Sequence, residues 1–148
     1  MNITLKTEVR GNYLKVMQQF DRDLFEALKP PIGEMKIVEF TGSKKGDHVH
    51  LRLERPIKIE WVSEIIEDSH DNEEAYFIDI GTTLPFPIQK WRHKHIVKKI
   101  DNEHSMIIDD INFEGKNKIW TNLLYPALYL GFYPRKKVYQ SYFENLNL

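Results

Sequence analysis

The sequence contains no cysteine, and this absence removes several classes of function. Disulfide-stapled scaffolds, thiolate metal sites and cysteine nucleophiles all require that residue. A glycine-rich phosphate loop, a nucleophile elbow and a metalloprotease motif are also missing. The chain therefore lacks the local signatures of the enzymes that depend on those motifs.

Neither sign of charge is in excess, and no apolar run is long. The 21 Lys and Arg residues against 22 Asp and Glu give a formal net charge of -1, so no global field favours a nucleic-acid partner. The longest uncharged apolar stretch, residues 123–133, is far shorter than the roughly 20 residues of a membrane-spanning helix. Residues 1–10 contain no run of signal-peptide length. We expect a cytoplasmic protein without an integral membrane segment.

The composition is that of one folded domain. The 148 residues are 41% hydrophobic and 29% charged, which excludes both disorder and a membrane bundle. The chain has no internal repeat, low-complexity tract or linker. Since a domain commonly contains roughly 150 residues, residues 1–148 are predicted to form a single domain.

Hydrophobic periodicity predicts a strand and then short helices at the start of the chain. Residues 3–9 alternate apolar and polar side chains, as a half-buried strand does. Residues 13–28 place apolar side chains three and four positions apart, which predicts helix, in two short pieces meeting near Asp21. Pro30 and Pro31 should end this stretch, because proline lacks the amide hydrogen that a helix interior needs.

Alternating runs separated by turn residues predict six further strands. They span residues 35–41, 48–53, 57–66, 74–81, 91–100 and 105–113. Their short connections favour antiparallel pairing. After Gly115 the pattern is helical to the end of the chain, and Pro126 and Pro134 are expected to start or kink one long apolar helix.

These elements predict an α+β fold. A seven-stranded curved antiparallel sheet should wrap around the long C-terminal helix, with two short helices after the first strand. The apolar face of the sheet needs a cover, and the terminal helix is the only element long enough to cross it. A curved sheet need not close tightly on a helix, so a ligand pocket between them is expected.

The element order resembles that of the START-like, or SRPBCC, superfamily, whose helix-grip fold includes birch-pollen-allergen-like and polyketide cyclase/dehydrase-like proteins. Local sequence is similar to the pattern F-x-D, P-F, W-x-H-x-H and D-x-V-x-Y of bacterial members of unassigned role. The matching segments are Phe77 to Asp79, Pro85-Phe86, Trp91 to His95 and Asp109 to Phe113, with Ile111 replacing the usual Val and Phe113 the usual Tyr. The resemblance implies a hydrophobic cavity for lipids, sterols, polyketides or similar molecules, and some members are cyclases or dehydratases.

Trp91, His93 and His95 alternate along one predicted strand, so their side chains share a face. The opposite face carries four cations, Lys90, Arg92, Lys94 and Lys98. Because charged side chains stay in water, we predict that both histidines point to the helix-covered face. Two histidines at this spacing also occur in metal sites, but a third ligand is needed, and we expect hydrogen-bonded imidazoles without a metal.

Asp79 and Asp109 are candidate partners for these imidazoles. If their strands flank the histidine strand, each carboxylate lies beside His93 and His95. A buried carboxylate is costly alone and tolerable when it is hydrogen-bonded to an imidazole. The cluster would be a static network, a polar anchor for the head group of a ligand, or a general acid–base pair. A bulge that turned Asp110 inward in place of Asp109 is the alternative phase.

The remaining candidate ligand contacts are apolar residues of the inner face. On the strands they are Trp61, Phe77, Trp91 and Phe113, and on the C-terminal helix they are Leu124, Leu128 and Phe132. Together with His93 and His95 these residues are the predicted ligand contacts. A helix this rich in aromatic side chains is more often core than ligand wall. In a helix-grip fold the two coincide, because the helix face that covers the sheet also lines the cavity.

Three functions remain open. The first is binding of a small hydrophobic or amphipathic molecule, such as a lipid, sterol, polyketide or aromatic metabolite, between the sheet and the last helix. The second is a cyclase- or dehydratase-type enzyme, with His93 or His95 as general base and Asp79 orienting it. The third is a regulatory interaction domain without a ligand. No cofactor is expected, and the oligomeric state is not predicted.

Overall fold

A computed structural model of the chain describes residues 1–30 and 33–148. Within these residues the strands are β1 Asn2–Arg10, β2 Glu34–Phe40, β3 His48–Arg55, β4 Ile59–His70, β5 Glu74–Thr83, β6 Ile88–Lys99 and β7 His104–Gly115. The helices are α1 Tyr13–Gln18, α2 Arg22–Ala27, α3 Lys118–Phe132 and α4 Arg135–Leu146. This order confirms the predicted helix-grip architecture. The predicted helix-ending role of Pro31 lies outside the described residues.

The strands of the described residues form one curled antiparallel sheet in the order β1-β7-β6-β5-β4-β3-β2. Consecutive strands from β2 to β7 pair as hairpins, because their connections are short. The first strand pairs with the last, with Ile3 opposite Ile111 and Val9 opposite Ser105. The histidine strand β6 therefore lies between the strands that carry Asp79 and Asp109.

Several strands run further than their hydrophobic alternation indicated. β4 continues to His70, where it pairs with Ala75, although residues 68–73 have turn-like composition. In the tight turn the side chain of Asp71 accepts hydrogen bonds from the backbone amides of Glu73 and Glu74, and the Asp71 amide donates to the carbonyl of Glu74 at 2.9 Å. The end of β4 could not be recognised from hydrophobic alternation, because its last residues are polar although their backbone pairs with β5.

The predicted long C-terminal helix is present, with 29 residues from Lys118 to Leu146, and its hydrogen bonding is interrupted at Tyr133 and Pro134. It begins at Lys118, where the side chain of Asn117 accepts a hydrogen bond from the amide of Trp120 at 3.0 Å. α3 runs through Pro126, so that proline does not start the helix. Tyr133 and Pro134 lie between α3 and α4 with helical dihedral angles, and Pro134 is the N-cap residue of α4. Among the described residues, no helix has the length and apolar character needed to cross a membrane.

The two helical pieces cover different parts of the concave sheet face. α4 lies against β1 and buries Tyr139 and Phe143 in a core with α1, α2 and Phe77. α3 lies against β7, and Leu128 and Phe132 pack beside Trp91. The segment therefore covers the β1-β7-β6 side of the sheet. It leaves space over the inner faces of β2 to β5, beneath α2.

Candidate functional site

The inner face of β6 carries Trp91, His93 and His95, whose exposed fractions are 6%, 3% and 3%. Arg92 is exposed on the opposite face. Lys94 extends over the ring of Tyr76 on that face, with its ammonium group 4.0 Å from the ring centroid. The predicted orientation of the histidines is confirmed, and charged residues on the outer face explain it.

Two buried His–Asp hydrogen bonds cross three strands on the diagonal. His95 Nε2 lies 2.8 Å from Asp79 Oδ2 on β5, and His93 Nε2 lies 2.9 Å from Asp109 Oδ1 on β7. In the sheet register, however, Asp79 is opposite His93 and Asp109 is opposite His95. Each imidazole thus reaches the acid diagonal to it, and the two rings stack with centroids 3.6 Å apart.

Asp109, rather than Asp110, is the inward carboxylate of β7. It is 2% exposed, and the hydroxyl of Tyr139 on α4 lies 3.4 Å from its Oδ1. Asp110 lies on the other face and accepts a hydrogen bond from Asn2 Nδ2. The cluster therefore joins β5, β6 and β7 to the last helix. No pattern in the sequence indicates that Tyr139 contacts this carboxylate.

Both buried carboxylates are held ionised. Burial would raise the pKa of Asp79 and of Asp109, but the hydrogen bonds that His95 and His93 donate outweigh it and lower both pKa values. The Arg135 guanidinium further lowers the pKa of Asp109. This guanidinium also lies over the Phe132 ring, 4.3 Å from its centroid. The junction of α3 and α4 is thereby linked to the cluster.

His95 is neutral at pH 7 and has a defined tautomer. Burial, and then the neighbouring His93, lower the pKa of His95 to about 4. A neutral imidazole carries one proton, and the ionised Asp79 accepts it from Nε2. His95 Nδ1 therefore keeps its lone pair. It is buried without a hydrogen-bond partner in the described part of the chain, with Asp109 Oδ1 3.9 Å away.

Oxygen and nitrogen atoms of Asp79, His93 and His95 lie within 4.8 Å of one another, close enough to be considered as metal ligands. A zinc ion would require both imidazole lone pairs to converge on a point about 2 Å from each nitrogen. The two rings are stacked with only 29° between their planes, so their in-plane lone pairs run side by side. This geometry fits the hydrogen-bonded network better than a metal site.

A cavity of about 250 Å³ adjoins the cluster. Its polar end is formed by Asp79, His93, His95, Ser63 and Arg135. Five predicted apolar contacts line its walls: Trp61, Phe77, Trp91, Leu128 and Phe132. Phe113 and Leu124 are not part of this lining. They pack with Ile111 in the apolar cluster beneath α3, because α3 sits closer to β7 than to the open half of the sheet.

The opposite wall comes partly from β3, whose alternation predicts apolar lining, and partly from α2 and β2, which no sequence pattern connects with the site. It contains apolar residues of α2 and its C-cap, of β2 and of β3, namely Phe25, Leu28, Met35, Ile37, Val49 and Leu51. Alternation along β3 places Val49 and Leu51 on the inner face. No local signal indicates that α2 lies over them, since that placement depends on tertiary packing.

The loop between β2 and β3 forms part of the cavity rim. Gly42 and Ser43 line the cavity, and Ser43 donates a hydrogen bond to the carbonyl of Phe20. Asp47 closes the loop by accepting hydrogen bonds from Thr41 Oγ1 and from the amide of Lys44. Gly42 has φ +147°, and a Cβ there would collide with the Asp47 carboxylate, so this turn requires glycine.

Replacing Asp79 or Asp109 by Ala should lower the free energy of unfolding by about 1–3 kcal/mol, because a buried imidazole loses its acceptor. Asp110→Ala is the matched control on the outer face and should change it by less than about 0.5 kcal/mol. Urea unfolding at pH 7 measures both. An unfolding midpoint of Asp109→Ala equal to that of the parent would contradict the network.

His95 should also make stability depend on pH. Its folded pKa of about 4 lies below the ordinary 6.5, so the unfolded chain binds the proton first as pH falls. The contribution of the neutral His95 to the free energy of unfolding, roughly 3 kcal/mol, is fully present above pH 6.5. It is lost as the pH falls from there to about 4. His95→Gln keeps a donor for Asp79 but cannot titrate. The stability advantage of the parent over this variant should therefore shrink across that window, and a pH-independent advantage would contradict the assignment.

The sequence matches no family model and no curated protein, whereas solved structures do match. A START superfamily protein from Mycobacterium smegmatis has a TM-score of 0.65 at 12% identity, over 98% of both chains. The Zhui aromatase/cyclase from Streptomyces sp. R1128 has a TM-score of 0.71 at 12% identity, over 97% of this chain and 93% of that one. Norcoclaurine synthase from Thalictrum flavum, solved with dopamine and hydroxybenzaldehyde, has a TM-score of 0.64 at 12% identity, over 86% of this chain and 76% of that one.

At these identities the likeness concerns the fold. The curled sheet of this chain, its short helices after β1 and its long C-terminal helix are consistent with a helix-grip fold. They agree with the resemblance that the motifs between Phe77 and Phe113 indicated. The chain has the helix-grip fold of the START-like, or SRPBCC, superfamily.

Proposed function

We propose that the protein binds a small hydrophobic or amphipathic molecule in the cavity between the curved sheet and the C-terminal helical segment. The observation that carries this proposal is a cavity of about 250 Å³ with mostly apolar walls and one polar end. Apolar walls stabilise an apolar guest by about 25 cal/mol per Å² removed from water. The helix-grip neighbours that are named as an aromatase/cyclase and a START protein support the same reading.

The volume limits the size of the enclosed part of the ligand. An apolar cavity of about 150 Å³ accommodates benzene, so about 250 Å³ suits one or two fused rings. A tetracyclic sterol or a complete lipid would have to extend outside. Ala127 and Gly131 both line the cavity and are exposed, which places its mouth beside α3. Among the candidate ligand classes, size therefore favours an aromatic metabolite.

The polar end favours a ligand that carries a hydroxyl or an N–H group. Asp79 is ionised and its side chain is 10% exposed, so one of its oxygens can accept a further hydrogen bond. His93 also borders the cavity, and its Nε2 is already occupied by Asp109. A donor on the ligand would meet acceptors here, and a purely hydrocarbon guest would leave them without partners.

An enzyme of the cyclase or dehydratase type is the second candidate, because the His95–Asp79 pair resembles a general base with its orienting acid. The pKa of His95 weighs against this role. A general base works best with a pKa near the working pH, whereas the pKa of His95 is about 4. His93 remains the candidate base of the two. The binding function needs only the cavity, and it is the better supported proposal.

Calorimetric titration with naphthol tests the binding proposal, because this probe has two fused rings and one hydroxyl. The parent should bind it saturably. Methylnaphthalene, which replaces the hydroxyl by a methyl group, should bind about two- to tenfold more weakly, since it forms no hydrogen bond to the polar end.

Ala127→Trp should weaken naphthol binding about tenfold or more by filling the mouth of the cavity. Asn122→Trp is the matched control, because Asn122 is exposed on the same helix and is not part of the cavity lining. It should bind as the parent does. A folded parent that gives no saturable signal up to the solubility of naphthol would contradict the proposed function.

A further inference from the structure

The outer face of α3 is exposed and apolar. The exposed fraction is 70% for Ile119, 58% for Leu123, 70% for Leu130 and 50% for Tyr133. With the exposed Pro126 these residues recur at steps of three and four, so they form a single stripe along the helix, here called the outer stripe. No residue of α3 is fully buried.

The surroundings of the outer stripe are apolar as well. Residues 119–134 contain no charged side chain. Phe86, in the loop between β5 and β6, is 69% exposed, and its ring packs edge-on against Trp120 with centroids 5.3 Å apart. Single exposed apolar residues are ordinary on protein surfaces, but a contiguous patch of this kind marks an interaction site.

Cations border the outer stripe at both ends. Lys116, before α3, and Lys118, its first residue, are exposed, and Lys137 is exposed four residues after Tyr133. The ammonium group of Lys116 lies 5.8 Å from the centroid of the Phe86 ring, so charge and apolar surface are contiguous. The acidic neighbour Glu114 is paired with Lys90 at 2.8 Å. The patch is therefore apolar in the middle and positive at its ends.

We propose that this surface docks on an anionic lipid membrane, with α3 lying in the plane of the interface. Apolar side chains of the outer stripe would enter the boundary between headgroups and acyl chains, where Trp and Tyr rings are also favoured. The lysines at both ends would meet anionic headgroups. Helices that lie on membranes combine the same two contributions, apolar area and basic charge.

A second copy of the chain fits this surface less well. Antiparallel packing of two α3 helices about a two-fold axis would bring the basic end of each helix to the basic end of the other. No carboxylate occurs in residues 119–134 to offset that repulsion. Charge complementarity therefore favours an anionic surface as the occupant.

Docking would also orient the cavity. The inner face of α3 closes the cavity with Leu128 and Phe132, and the mouth lies beside Ala127 and Gly131 on the same helix. An apolar ligand could then pass between membrane and cavity without crossing bulk water. This consequence rests on the proposed binding function, whereas the docking itself does not.

Flotation with lipid vesicles tests the docking. The parent should float with vesicles of phosphatidylcholine mixed with phosphatidylglycerol, less with phosphatidylcholine alone, and less as salt is raised. Ile119→Glu and Leu130→Glu should each lower the affinity for the mixed vesicles about tenfold or more. Both positions are exposed, so the variants should fold, which circular dichroism checks.

Ile100→Glu is the matched control. Ile100 is 45% exposed and follows β6 at the end of the sheet opposite Ile88 and α3, so this variant should bind vesicles as the parent does. Failure of the parent to float with mixed vesicles would overturn the proposal, as would equal losses in Ile100→Glu and Ile119→Glu. A parent dimer that Ile119→Glu dissociates would assign the surface to a second copy and would also overturn it. A parent that floats but does not bind naphthol would support docking and contradict only the cavity function.

Discussion

The diagonal pairing of two imidazoles with two buried carboxylates is the constraint on which the rest of the site depends. Asp79 and Asp109 are buried in a largely apolar sheet interior, and each is stabilised there by a hydrogen bond that a histidine of β6 donates. The pairing joins β5, β6 and β7. Tyr139 and the Arg135 charge add contacts from α4, so the same cluster that satisfies the strands also helps to fix where the C-terminal segment crosses the sheet.

The two parts of that segment, on either side of Pro134, have different roles. α4 contributes to the hydrophobic core, and α3 borders the entrance of the cavity. α4 buries Tyr139 and Phe143 completely and completes the main core with α1 and α2. α3 has no fully buried residue and lies over β7, beside the open half of the sheet. The cavity therefore exists because α4, the well-packed part of the helix, lies against β1 and does not cover the strands β2, β3, β4 and β5. Its polar end follows from the cluster, since the histidines that anchor the core also border the open space.

Period-two patterning predicted the inward histidines because four cations, Lys90, Arg92, Lys94 and Lys98, lie on the opposite face of β6. It also predicted Asp79 and Asp109 as neighbours, since consecutive strands pair as hairpins. The diagonal choice of partner could not be predicted, because it depends on the reach of side chains rather than on register. The sequence also left open whether Asp109 or Asp110 points inward, because a single bulge in β7 would exchange the two faces. The uncharged stretch 123–133 was expected to cover the sheet, but a helix that is apolar all round has no polar face to identify its exposed side, and half of α3 faces outward. For the same reason Leu124 was expected at the ligand, whereas it lies in the packed cluster beneath α3.

The most direct measurement of the central claim is the protonation state of the His95 imidazole, read from its ring nitrogen chemical shifts by NMR. At pH 7 the ring should be neutral, with the proton on Nε2 and a bare Nδ1, and it should stay neutral until the pH approaches about 4. Addition of naphthol should shift the imidazole resonances of this pair, because the cavity ends at the cluster. A doubly protonated His95 at pH 7, or resonances that a saturating apolar ligand leaves unchanged, would contradict a buried His–Asp network that forms the polar end of a binding cavity.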